Sequence, residues 1–172
     1  PEIIPQKLDI KVVYEDKNLI VIDKEPGVVV HPGSGNHDNT LVNALLSHCK
    51  NNLSGIGGVL RPGVVHRIDK MTSGLIVFAK DDHTHSSLSE QFKEKKTERE
   101  YNLLVWNLLP KSEGSIDKNI SRSKFNRKKM SVCNSNNGKK AITKYTLIKS
   151  FLINENIKIS YLKCKLLTGR TH

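Results

Sequence analysis

The chain has 172 residues, enough for one hydrophobic core or for one core with a small appendage; 37% are hydrophobic and 5% aromatic. No apolar run reaches the ~18 residues of a membrane-spanning helix, and no basic-then-apolar stretch at the start marks a signal peptide. The formal net charge is +11 and is unevenly placed: Gln91–Lys149 holds 15 basic against 5 acidic residues, residues 1–90 hold 9 against 11. Such a segment either attracts polyanions, through phosphate contacts and counterion release, or is a solvated face kept for solubility. The cluster Arg122-Ser-Lys124-Phe-Asn-Arg127-Lys128-Lys129 favours nucleic acid, without separating RNA from DNA.

Three dispersed cysteines, Cys49, Cys133 and Cys164, argue against a disulfide framework and for a reducing compartment, hence the cytoplasm. His83 and His85 form one His-x-His pair, but nothing nearby completes a zinc set, so no metal is expected. Pro1 is not an initiator Met and the chain stops within Thr168-Gly-Arg-Thr-His172. The expectation is therefore a part of a longer polypeptide.

In chain order, Lys11–Tyr14 and Leu19–Asp23 read as short strands joined by the turn Glu15-Asp16-Lys17-Asn18. Lys24-Glu-Pro-Gly27 breaks the pattern. Val28–Val30 is a third apolar run, closed by the loop His31-Pro-Gly-Ser-Gly35. Thr40 is placed to cap a helix over Leu41–His48, with Leu41, Ala44, Leu45 and His48 on one face. Asn51–Gly63 reads as a surface loop. Leu75–Ala79 reads as a central strand, and Thr84–Lys95 as a second helix turning Leu88, Gln91 and Phe92 towards the core. Arg99–Trp106 is the next strand. Four β segments follow: Ser115–Ile120, Lys128–Val132, Ala141–Ile148 and Ile157–Leu167, with Asn134-Ser-Asn-Asn-Gly138 as a hairpin turn between the second and third. About nine short strands and two helices, unevenly mixed, predict an α+β fold with a mixed, largely antiparallel sheet flanked by a few helices.

The chemistry concentrates in Gly63-Val-Val-His66-Arg67-Ile-Asp69-Lys-Met-Thr72-Ser-Gly74, a polar loop between an apolar pair and an apolar strand. A loop feeding a strand is a rigid platform for a catalytic group. Asp69 has three readings: a turn cap bonded to the Thr72 or Ser73 amide, a partner in a structural ion pair, or a nucleophile or general base beside a cation.

Val65-His-Arg-Ile-Asp-Lys-Met-Thr-Ser-Gly-Leu75 closely resembles the motif H-R-L-D-x-x-T-S/T-G-L of RluA-type RNA pseudouridine synthases. Four further segments match that family in the same order: Asp23–Gly33, Asn39–Leu46, Lys96–Val105 and Leu167–His172. The resemblance covers residues 10–172. It implies one pseudouridine synthase catalytic domain over residues 1–172, incomplete at its C-terminus and preceded by an S4-like RNA-binding module. It also implies isomerisation of uridine to pseudouridine in structured RNA, without metal or organic cofactor. Large-subunit ribosomal RNA is the expected partner ahead of tRNA, and the enzyme is expected to be a monomer that does not bind membranes.

By the same resemblance Asp69 is the essential catalytic residue and Tyr101 stacks on the target base and relays a proton. Arg67 extrudes the uridine and fills the gap left in the RNA. His66 and Thr72 shape the substrate loop, and Gly169 and Arg170 belong to the last motif; with Arg67 these form the substrate-binding set. Arg122, Lys124, Arg127, Lys128 and Lys129 are the expected phosphate contacts. The family arginine that pairs with the aspartate falls just past His172. The sequence departs from the family at Glu25-Pro26 and at Asn102-Leu103. Two other classes compete: a non-catalytic RNA-binding factor on the same fold, and an aspartate-dependent hydrolase, which lacks a second carboxylate at a recognisable spacing.

Overall fold

The computed structural model describes residues 3–33, 35–126, 129–134 and 138–170. The chain divides into two compact units, Pro1–Lys96 and Thr97–His172.

In the first unit, β1 (Lys11–Glu15), β2 (Leu19–Lys24) and β3 (Gly74–Ala79) form an antiparallel sheet in the order β1-β2-β3. The β1–β2 turn forms because the Asp16 carboxylate accepts the amides of Asn18 (2.7 Å) and Leu19 (2.8 Å), a local bond that Asp offers better than most residues. Along β2 alternate residues are buried: Ile20, Ile22 and then Lys24. Leu75–Ala79 was expected at the centre, but β2 is the middle strand and β3 lies at the end of the ladder. The outer edge of β3 is nonetheless closed. Val64 bridges Phe78, and Ala79 donates its amide to the Gly63 carbonyl at 2.9 Å. The apolar run is nevertheless buried mainly on one face: Ile76 and Phe78 lie in the core, Val77 is half-buried and Leu75 is exposed.

Helix α1 (Leu41–His48) begins at Thr40, whose hydroxyl accepts the Asn43 amide while the Asn43 side chain accepts the Thr40 amide, a reciprocal cap. The run Val28–Val30, expected as a strand, instead offers the Val29 and Val30 carbonyls to the amides of Leu41 and Val42. Those are first-turn donors that have no partner within the helix itself. Leu41, Ala44 and Leu45 are buried against Ile20, Ile22, Ile76 and Phe78, whereas His48 leaves the core to pair with Glu15 at 2.8 Å. Helix α2 (Asp82–Lys93) is capped by Asp81, which accepts the Thr84 amide. Its inward residues are His85, with Leu88 and Phe92 half-buried; Gln91, expected inward, is exposed. Position 85 completes the helical stripe with 88 and 92.

The second unit is one antiparallel sheet of β4 (Glu100–Trp106), β5 (Glu113–Arg122), β6 (Met130–Cys133), β7 (Lys139–Leu152) and β8 (Lys158–Leu166), in the order β4-β8-β7-β5-β6. Strands β6 and β7 are not hydrogen-bonded neighbours: both pair with β5, from opposite sides. The segment Asn134–Gly138, expected as a hairpin turn, therefore does not join two paired strands, and its residues 135–137 lie outside the described residues. Gly114 makes room for a cross-strand aromatic, because a Cβ there would lie 2.6 Å from the Tyr145 hydroxyl. With all strand pairs antiparallel and only two helices among the described residues, the fold is α+β.

Candidate active site

In the first unit the chain leaves α1, turns through Ser54 and enters the polar loop at Gly63. The Gly63 amide bonds to the Ser54 carbonyl at 2.7 Å. Only glycine suits this point: φ is +70°, and a Cβ would lie 2.6 Å from the Ala79 carbonyl oxygen. Next, His66 Nε2 accepts the Val77 amide at 3.0 Å and its ring stacks on Phe92 with centroids 4.5 Å apart. An accepting Nε2 leaves the ring proton on Nδ1. Ile68 is buried, while its neighbours Arg67 and Asp69 are exposed. Asp69 closes a turn with its main-chain carbonyl, which accepts the Thr72 amide at 3.1 Å. The side chain is thus not the turn cap. Nor is it locked in a structural ion pair: among the described residues no side chain hydrogen-bonds or ion-pairs with its carboxylate.

The residue after Asp69 is held from the other side. The Lys70 carbonyl accepts the Gly27 amide at 2.8 Å and the Lys24 ammonium at 2.9 Å. Lys24 also donates to the Glu25 (2.9 Å) and Val28 (3.0 Å) carbonyls. Burial lowers its pKa below the ordinary lysine value, and the charge of Asp69 opposes that shift. Asp69 therefore lies between two fixed points, the His66–Ile68 anchor and the Lys70 carbonyl, with its own carboxylate presented to solvent. His31 is buried nearby in electrostatic terms: desolvation pushes its pKa down, its Nδ1 hydrogen bond to Pro32 opposes this, and the cations Arg61 and Arg67 add to the lowering.

The remaining expected residues belong to the second unit. Tyr101 is half-buried on β4, the edge strand, opposite Cys164 of β8; Leu103 and Val105 share its face. Beyond β8, Leu167 and Thr168 are clipped to β7 through Ile142, and Arg170 donates Nε to the Lys140 carbonyl at 3.0 Å. Gly169 and Arg170 line a cavity of about 400 Å³ together with Arg122, Lys139, Met130 and Ile120. Lys124 and Lys129 are exposed in the β5–β6 connection, and Arg127 and Lys128 lie outside the described residues. The structure thus gathers His66, Arg67, Asp69 and Thr72 on one loop, and Arg122, Gly169 and Arg170 around one cavity.

Two residues escaped the sequence reading. Lys24 carried a signal, since strict alternation from Ile20 through Ile22 puts it on the core face. Lys139 had none beyond its charge, because its place in the cavity depends on the pairing of β7 with β5.

A family model described as RNA pseudouridylate synthase matches residues 18–172. "Ribosomal large subunit pseudouridine synthase D" of Zymomonas mobilis subsp. mobilis is 48% identical over 168 residues, which is 98% of this chain and 51% of that protein. An "uncharacterized RNA pseudouridine synthase" of Aquifex aeolicus is 46% identical, again over 98% and 51%. The chain thus spans about half the length of the curated relatives it matches. Among solved structures, "Human RNA Pseudouridylate Synthase Domain Containing 1" superposes with a TM-score of 0.76 at 23% identity, over 95% of this chain and 62% of that one. That likeness bears on the fold. The family match, extending over nearly the whole chain and through both units, shows that this chain belongs to the RNA pseudouridylate synthase family.

Proposed function

We propose that the chain carries catalytic machinery for the isomerisation of uridine to pseudouridine in structured RNA, with large-subunit ribosomal RNA as the substrate. The observation that carries the reading is Asp69: an exposed carboxylate on a loop fastened on both sides, inside a chain of this family. In the reaction the bond from uracil N1 to the sugar C1′ breaks, the base rotates, C5 bonds to C1′, the C5 hydrogen leaves as a proton, and N1 takes up a proton in its place. Asp69 serves either by adding to the base or by assisting cleavage and taking a sugar proton; both need a carboxylate within reach of the target nucleotide. Arg67, exposed two residues earlier, displaces the uridine from its stack, and Tyr101 offers a ring face and a hydroxyl to the extruded base. The cations of the second unit hold RNA phosphates. The choice of ribosomal RNA is supported by relatives named as ribosomal large subunit pseudouridine synthases.

Asp69→Asn in the full-length protein is expected to abolish tritium release from RNA labelled at uridine C5, while RNA affinity stays near wild type. Tritium release at the wild-type rate in this variant would remove Asp69 from the mechanism.

A further inference from the structure

The β5–β6 connection holds a side chain that the reaction above leaves unused. Phe125 is 102% exposed, with no part of its ring shielded by the fold. A single exposed apolar side chain is common on a protein surface; this one stands apart because it is aromatic, fully exposed in a hydrogen-bonded turn and set among cations. The turn that presents it is built. Ser123 Oγ accepts the amides of Phe125 (3.3 Å) and Asn126 (3.2 Å), Lys129 donates its amide to the Asn126 carbonyl (2.9 Å), and Ser123 donates to the Lys129 carbonyl (2.9 Å). Among the described residues from Arg122 to Lys129, three are cations, Arg122, Lys124 and Lys129, and none is an acid. At the root of the same connection, Arg122 and Met130 face each other across β5 and β6 and line the cationic cavity with Lys139 and Arg170.

We infer that Phe125 is a base-stacking residue, which takes the face of one unpaired nucleotide of the RNA while the flanking cations hold its phosphates. The inference rests on the RNA reading above and adds to it a residue and a substrate class: a loop or bulge, beyond the target uridine, rather than a continuous duplex. A-form duplex RNA keeps its base faces stacked on one another, so an aromatic ring finds a partner only where a base is splayed out. Charge complementarity chooses a polyanion, and a single ring at a hairpin tip, without an amphipathic helix, fits a nucleotide better than a lipid surface.

The test uses the full-length protein and its variants Phe125→Ala and Phe125→Trp, each checked for an unchanged thermal melt. The probes are a single-stranded oligouridylate carrying 5-iodouridine, a blunt RNA duplex, and phosphatidylglycerol vesicles. Phe125→Ala should weaken oligouridylate binding roughly tenfold, the usual loss for one stacked base. Phe125→Trp should retain binding, duplex affinity should not change, and photocrosslinks should map to Phe125. Wild-type oligouridylate affinity in Phe125→Ala, or crosslinks mapping elsewhere, overturns the stacking role while leaving RNA binding in place. A Phe125→Ala defect seen only on vesicles overturns it in favour of a membrane contact. Failure of the wild-type protein to bind either RNA overturns the RNA reading itself.

Discussion

At Lys24 a cation is almost wholly buried, 1% exposed, and three carbonyl oxygens take its three ammonium protons. One of these belongs to Lys70, so the bond joins the end of β2 to the residue after Asp69. Lys24→Met keeps the length of the side chain and removes the donors. The Glu25 and Val28 carbonyls then lose their partner, at a cost of about 1–3 kcal/mol as measured by urea denaturation. The Lys70 carbonyl keeps the Gly27 amide, so the loop stays folded but is held by one bond where there were two. The expected enzymatic result is a lower single-turnover rate with unchanged RNA affinity. A variant as fast as wild type would show that Gly27 suffices to hold Asp69.

Among the elements, α1 depends most visibly on local chemistry. Thr40 is fully buried, and its hydroxyl serves both the Asn43 amide and the Asn43 side-chain oxygen. Thr40→Ala is expected to destabilise the protein by about 1–2 kcal/mol, with Thr40→Ser near wild type, in parallel urea melts. Equal losses in the two variants would mean that the methyl group, packed in the core, matters more than the cap. At β3 the deciding contacts come from outside the strand. Gly63, Val64 and His66 cover its free edge, which makes the loop that bears Asp69 a further layer of pairing on the sheet rather than an appendage to it.

At the scale of the whole molecule, acid should act in two stages. His31 and His85 are both held below the ordinary imidazole value of 6.5, mainly by burial. Once the pH falls below that value the unfolded chain takes up protons that the folded one refuses, so stability declines as pH drops. Glu15, beside His48 and Lys80, and Asp16, with its backbone amides, are held below the ordinary carboxylate values of 4.5 and 3.8. Their contribution is complete above those values and is lost as pH falls through the lower folded ones. Urea midpoints should therefore fall between pH ~7.5 and ~5.5, before any carboxylate titrates, and His85→Leu should flatten that first stage. An identical slope in His85→Leu would assign the stage to His31 or to another group.

By itself the sequence determined what local rules control. Alternation marked β2, the Thr40 cap marked α1, the Asp16 turn joined β1 to β2, and the ordered motifs named the family and the loop that bears Asp69. These follow from bonds between residues close in the chain, or from a pattern whose period is that of the element. Tertiary structure alone decided the rest. It put β2 rather than β3 in the middle, used Val28–Val30 to cap a helix, turned Gln91 out and His85 in, and placed β6 and β7 on opposite sides of β5. It also drew the carbonyl of Lys70 to a lysine 46 positions away. Each of these depends on which distant segment reaches an unpaired backbone group first, and a polar or apolar pattern along one segment carries no record of that competition.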